Sequence, residues 1–121
     1  MTPEEKLAAD LRAHLASAGR ISEVWMFGGR GFMLNGNMVA AVSKRGLLLR
    51  VGKDRQGEAL ARPGARPMEM QRRRMEGYVY VDPETLDDRA LKAWLGEASS
   101  YVRTLPPKAA KAKSPGEAKR T

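Results

Sequence analysis

Gly28-Gly29-Arg30-Gly31 is the part of this chain closest in type to a phosphate-binding loop. Glycine-rich backbone can cradle phosphate oxygens, but the motif needs a Gly-Lys-Ser/Thr ending for charge and a magnesium ligand. It also needs a helix N-terminus behind it to hold the anion. Here Phe32-Met33-Leu34 follows, a strand-like run. Glycines at a turn or bulge serve backbone freedom, and that is the simpler reading. Acid–base chemistry needs paired, perturbed carboxylates or a partnered histidine. Glu69 and Glu76 flank an arginine run, while Asp82, Asp87 and Asp88 cluster where a strand ends and a helix begins. The second group is explained by strand termination and capping. Ser22, Ser43, Ser99 and Ser100 lack any nucleophile-elbow context. One histidine, His14, and no cysteine leave no ligand set for zinc. The residues therefore point to no catalytic group, no cofactor and no metal, and to a protein that is not an enzyme.

The charge suggests binding instead. The chain has 121 residues and a net charge of +8. Lys44 to Arg74 holds ten basic residues against three acidic ones, and residues 106–121 hold five against one. A basic middle and a basic tail fit an anionic partner, nucleic acid among them; solubility alone also accounts for such charge. Arg72, Arg73 and Arg74 cannot all enter a core, since an unpaired buried guanidinium is too costly. At least two are expected at the surface, near Lys53 or Arg55 if a loop folds back on the short helix there. Six methionines, Met26, Met33, Met38, Met68, Met70 and Met75, fall in or beside the strand-rich region. Thioethers fill cores and also suit adaptable interfaces.

The elements that must carry these residues are legible in outline. Thr2-Pro3-Glu4-Glu5 starts a helix, with Thr2 as cap, Pro3 in the first turn and Glu5 completing a capping box. Leu7, Leu11, Leu15 and Ala18 keep helical spacing until Gly19, with His14 beside that stripe as a packed or boundary residue. Val24 to Val51 reads as a β-meander, with tight turns at Asn35-Gly36 and Lys44-Arg45-Gly46. Lys53 to Ala61 forms a short helix and Arg62 to Pro67 a loop. Met68 to Met70 forms a short strand, and Gly77 to Val81 a firm one. The last helix starts near Thr85 to Asp87 and carries Leu91, Trp94, Leu95, Ala98, Tyr101, Val102 and Leu105 on one face. The order is α-β-β-β-α-β-β-α. It predicts an α+β two-layer sandwich, an antiparallel sheet of about five strands with helices on one face. If Leu47, Leu49, Val51, Val79 and Val81 face the helices, Arg50, Tyr78 and Tyr80 face away. Arginine and aromatics there can stack nucleobases or cover a protein partner; the protein interface is favoured.

Residues 1–107 form the expected domain, and 108–121 a disordered basic tail. No apolar run approaches the ~20 residues of a membrane span. Met-Thr-Pro-Glu-Glu-Lys lacks the apolar segment of a signal peptide. A cytoplasmic protein without membrane attachment is the simplest reading.

Met26-Phe27-Gly28-Gly29-Arg30-Gly31-Phe32, then Asn35-Gly36 and Leu48-Leu49-Arg50-Val51-Gly52, resemble the TfoX N-terminal domain family. So do Ala61 to Met68, Gly77 to Pro83 and the Leu86 to Trp94 pattern. The resemblance spans roughly residues 5–107 and makes Met26, Phe27, Gly28, Gly29, Gly31 and Phe32 family-motif positions. It implies a two-layer α+β fold and kinship with bacterial TfoX/Sxy competence regulators, which act as transcriptional coregulators beside a cyclic-AMP receptor protein. The function expected is regulatory or adaptor work through another protein, with transcription as its setting. Nucleic-acid binding through residues 44–74 and the tail is the alternative, and self-association is compatible with both. Candidate contact residues are Arg50, Lys53, Arg55, Arg72, Arg73, Arg74, Tyr78 and Tyr80.

Overall fold

A computed structural model describes residues 2–26 and 28–107 of the protein. Helix α1 spans Pro3–Leu15. The Thr2 hydroxyl accepts the Glu5 N–H at 3.1 Å, and the Glu5 carboxylate accepts the Thr2 N–H at 2.8 Å. That reciprocal pair satisfies two backbone donors that an open helix end leaves unpaired. α1 buries Ala8, Leu11 and Leu15.

Four strands follow: β1 (Ile21–Met26), β2 (Gly29–Leu34), β3 (Asn37–Ser43) and β4 (Gly46–Arg50). Then come a 3-10 turn at Lys53–Arg55, helix α2 (Gln56–Leu60), β5 (Ala65–Met70) and β6 (Arg73–Val81). A second 3-10 turn at Pro83–Thr85 leads into α3 (Asp88–Val102). Asp87 caps α3, its carboxylate accepting the Ala90 N–H at 2.7 Å.

The sheet has six strands rather than about five, all antiparallel, in the order β1-β2-β3-β4-β6-β5. The extra strand arises because the run before Asn35 folds on itself. Gly28 takes a left-handed φ of +72°, and β1 and β2 pair from Met26 opposite Gly29 to Ile21 opposite Leu34. A Cβ on Gly29 would stand 1.9 Å from the Val42 carbonyl oxygen, so β3 comes too close for a side chain. These glycines thus meet structural needs, a turn and a close approach. Asn35-Gly36 makes its tight turn with φ of +54° and +85°.

Two segments are longer than their sequences suggest. β5 begins at Ala65, inside the expected loop, and β6 begins at Arg73 rather than Gly77. They are joined by Gln71 and Arg72, both with left-handed φ, in a two-residue turn without glycine.

The core lies between the sheet and the helices α1 and α3. Leu11 and Leu15 meet Phe32, Leu34, Val42, Leu47, Leu49, Val79 and Val81, and α3 adds Leu91, Trp94, Leu95, Ala98 and Val102. The face away from the helices carries a second cluster of Met38, Ala41, Leu48, Met68 and Tyr80, with Met33, Met75 and Tyr78 packed against it. The alternation read along β4 and β6 therefore holds, and these four methionines pack in that cluster. The expected tail, residues 108–121, lies outside the described residues, as does Phe27 of the family motif.

Candidate macromolecular interface

The expected contact residues fall mainly at one end of the sheet. Pairing of β4 with β6 runs from Leu47 opposite Val81 to Arg50 opposite Tyr78. β6 starts five residues earlier, at Arg73, and there it pairs only with β5: Glu69 is opposite Arg74, and Met70 opposite Arg73. The β5–β6 hairpin is thus a two-stranded arm that runs past the end of β4. Arg72, Arg73 and Arg74 are exposed at its tip. They belong to a turn and a strand, not to a loop, because hairpin pairing with β5 extends β6 back to them.

The base of the arm is pinned by Gln56, a buried polar residue that gave no signal in the sequence. Its amide nitrogen donates to the carbonyls of Met75 (3.2 Å) and Tyr78 (3.4 Å). Its amide oxygen accepts the Gly77 N–H at 3.1 Å. The Gly77 carbonyl in turn accepts the N–H groups of Val51 (2.8 Å) and Gly52 (3.1 Å). This lattice seats the exposed Lys53 and Arg55 of the 3-10 turn against β6. The Arg50 guanidinium lies 5.7 Å from the Tyr78 ring centroid and 6.0 Å from that of Tyr101. A cleft of about 310 Å³ opens beside them, lined by Lys53, Asp54, Arg55, Glu97, Ser100 and Tyr101.

Tyr80 stands apart from this group. It faces away from the helices, as expected, but is only 4% exposed. Arg66 on β5 lies over its ring at 5.5 Å. Of the two tyrosines, only Tyr78 reaches the surface.

The family-motif glycines lie at the opposite end of the molecule's sequence of strands, beside β1. Glu23 accepts two hydrogen bonds from Arg12 (2.6 and 2.8 Å) and one from Arg30 (3.2 Å). The two Arg12 bonds, and in smaller part the one from Arg30, hold the Glu23 carboxyl below the usual carboxylate range. Arg30 also lies 4.9 Å from the centroid of Trp25. Trp25 is 78% exposed and Val24 42%, the two large apolar side chains left in solvent among the described residues. Trp25 borders a hollow of about 380 Å³ shared with Glu4, Glu5, Arg12, Gly29 and Arg30. The sequence hint was the adjacent pair Val24-Trp25, which puts apolar bulk on both faces of one strand.

The clustered carboxylates have structural uses. Asp82 accepts the Glu84 N–H at 3.1 Å, Asp87 caps α3, and Asp88 meets His14 at 3.1 Å, tying α1 to α3. Among the described residues no group of three potential metal-ligating side chains comes together. Nor is any described helix long and apolar enough to cross a membrane.

A six-stranded antiparallel sheet backed on one face by two long helices defines a two-layer α+β domain. The chain belongs to the TfoX N-terminal domain family, whose family model matches residues 13–102, from the last turn of α1 to the end of α3. In broad terms this makes it a regulatory domain of the competence type. No curated protein and no solved structure matches it.

Proposed function

We propose that this is a non-enzymatic, cytoplasmic regulatory domain that docks another protein through the end of the sheet bearing the β5–β6 arm, with transcription as its setting. The projecting arm carries the reading: exposed Arg72, Arg73 and Arg74 stand at its tip, with Arg50 and Tyr78 at its base. Arginine and tyrosine are the residues that dominate protein hot spots. Asp54, Glu58, Glu69 and Glu76 are interspersed among the basic residues of this region. Mixed signs suit a patterned acidic protein surface better than a uniform polyphosphate. The test is affinity recovery from the native cell with the full chain and with Arg72, Arg73 and Arg74 replaced by glutamine, each with and without nuclease. A specific protein retained after nuclease and lost with the triple variant supports the reading. Recovery abolished by nuclease overturns it in favour of nucleic acid. That second reading is favoured by one observation: a two-stranded ribbon ending in three arginines has the dimensions of elements that enter nucleic-acid grooves.

A further inference from the structure

We infer that two copies of this chain associate through the free edge of β1, forming one continuous twelve-stranded sheet. The two edges of the sheet differ. β5 carries Pro67, with Arg66 and Glu69 beside it, the usual devices against edge pairing. β1, Ile-Ser-Glu-Val-Trp-Met, has neither proline nor lysine, and its one charge is occupied by Arg12 and Arg30. It also bears the two large apolar side chains that are exposed among the described residues, Val24 and Trp25.

The backbone of β1 sets which groups are on offer. The Asn35 N–H donates to the Arg20 carbonyl at 2.8 Å, so Arg20 points toward β2. Antiparallel pairing alternates, so Ser22, Val24 and Met26 also turn their backbone groups toward β2. Ile21, Glu23 and Trp25 therefore direct theirs outward, with no strand paired to them among the described residues. An added antiparallel strand must match outward residues with outward residues. For two identical six-residue strands, two registers keep five residues in pairing. One sets Glu23 opposite Glu23 of the second copy, a like-charge pair that opposes association. The other sets Val24 opposite Val24 of the second copy and Glu23 opposite its Trp25.

The second register is self-complementary. It covers Val24 with its own copy on one face. On the other it brings Trp25 of the second copy to the Glu23–Arg12 pair, where the guanidinium offers a cation–π contact. Two-fold closure through one strand also leaves no free β1 edge, so the assembly stops at two. Because β1 and β5 are opposite edges, both arginine-tipped arms stay at the far ends of the joined sheet. Two arms on one body gain avidity for a repeated partner.

The experiment is sedimentation equilibrium of the full chain, together with cysteine trapping. Expected is a species of twice the 13.3 kDa chain mass. Val24→Lys places two like charges across the axis and should weaken association at least tenfold while circular dichroism stays unchanged. Since the chain has no cysteine, Val24→Cys should give one symmetric cross-link under mild oxidation, many times faster than Ser17→Cys in the exposed turn after α1. A monomer at several hundred micromolar, with Val24→Cys no faster than Ser17→Cys, overturns the inference. So does a dimer indifferent to Val24→Lys. Neither result depends on what the arm binds.

Discussion

The Arg62 guanidinium lies 3.5 Å from the centroid of the Trp94 ring and pairs with the Glu97 carboxylate. The loop after α2 is thereby clamped onto α3, with Trp94 3% exposed beneath it. One ring thus closes the core on one side and anchors a surface cation on the other.

Trp94→Ala removes both contacts. It should cost about 3–5 kcal/mol, the range for deleting a buried aromatic. Urea denaturation followed by circular dichroism measures this. A loss under about 1 kcal/mol, typical of exposed sites, would contradict the burial.

Gln56 makes a separate prediction. Its side chain satisfies one backbone N–H and two carbonyls of β6. Gln56→Leu keeps much of the bulk but leaves the Gly77 N–H without its partner. An orphaned buried group costs about 1–3 kcal/mol. Hydrogen exchange should quicken at Gly77 and along the arm while α1 keeps its protection. Uniform change across the chain would show that the pin is not local.

What could be read in advance, and what could not, follows from how far each feature depends on distant chain. Thr2 with Glu5, Asn35-Gly36 and Asp87 act within three residues, so capping and turn chemistry placed them correctly. The apolar face of α3 and the alternation along β4 and β6 were equally legible. Arg73 to Glu76 carry no strand signal of their own, because a charged run has low strand propensity; pairing with Glu69 and Met70 makes the strand. Tyr80 was placed on the right face, but its burial depends on β5 lying beside β6, which no local pattern reveals. Gln56 was silent because its partners are backbone groups some twenty residues away. Trp25 faces the helix side, yet only the actual reach of α1 shows that it is left in solvent.

Acid stability tests the Glu23 cluster. Arg12 and Arg30 lower the Glu23 pKa in the folded state relative to the unfolded chain. A depressed carboxylate contributes stability that is fully present above its unfolded pKa, about 4.3. That contribution fades as pH falls through the lower folded value. Glu23→Gln should therefore lower stability at pH 7 by on the order of 1 kcal/mol, the scale of a partly exposed charged network. It should also flatten the fall in stability below about pH 4.3. Melting curves from pH 7 to pH 3 compare the two proteins, and parallel pH profiles would show that this carboxylate does not contribute.

The arm allows a direct decision between its two partner classes. Nucleic-acid binding displaces counterions, with a log–log salt slope of about −0.9 per phosphate neutralised on duplex DNA. Arg72, Arg73 and Arg74 are all exposed at the hairpin tip, so each is free to reach a phosphate. If they do, replacing all three by glutamine should flatten the slope by roughly two to three units. The fold should survive, since none of the three is buried. Labelled duplex and single strands are titrated at several salt concentrations with the full chain, the triple variant and a chain ending at Pro107. No binding even at low salt leaves the arm to a protein partner, the expected outcome. Salt-dependent binding that falls with the triple substitution assigns the arm to nucleic acid instead. Binding that survives the substitution but is lost in the shortened chain places the phosphate contacts in the basic residues beyond Pro107.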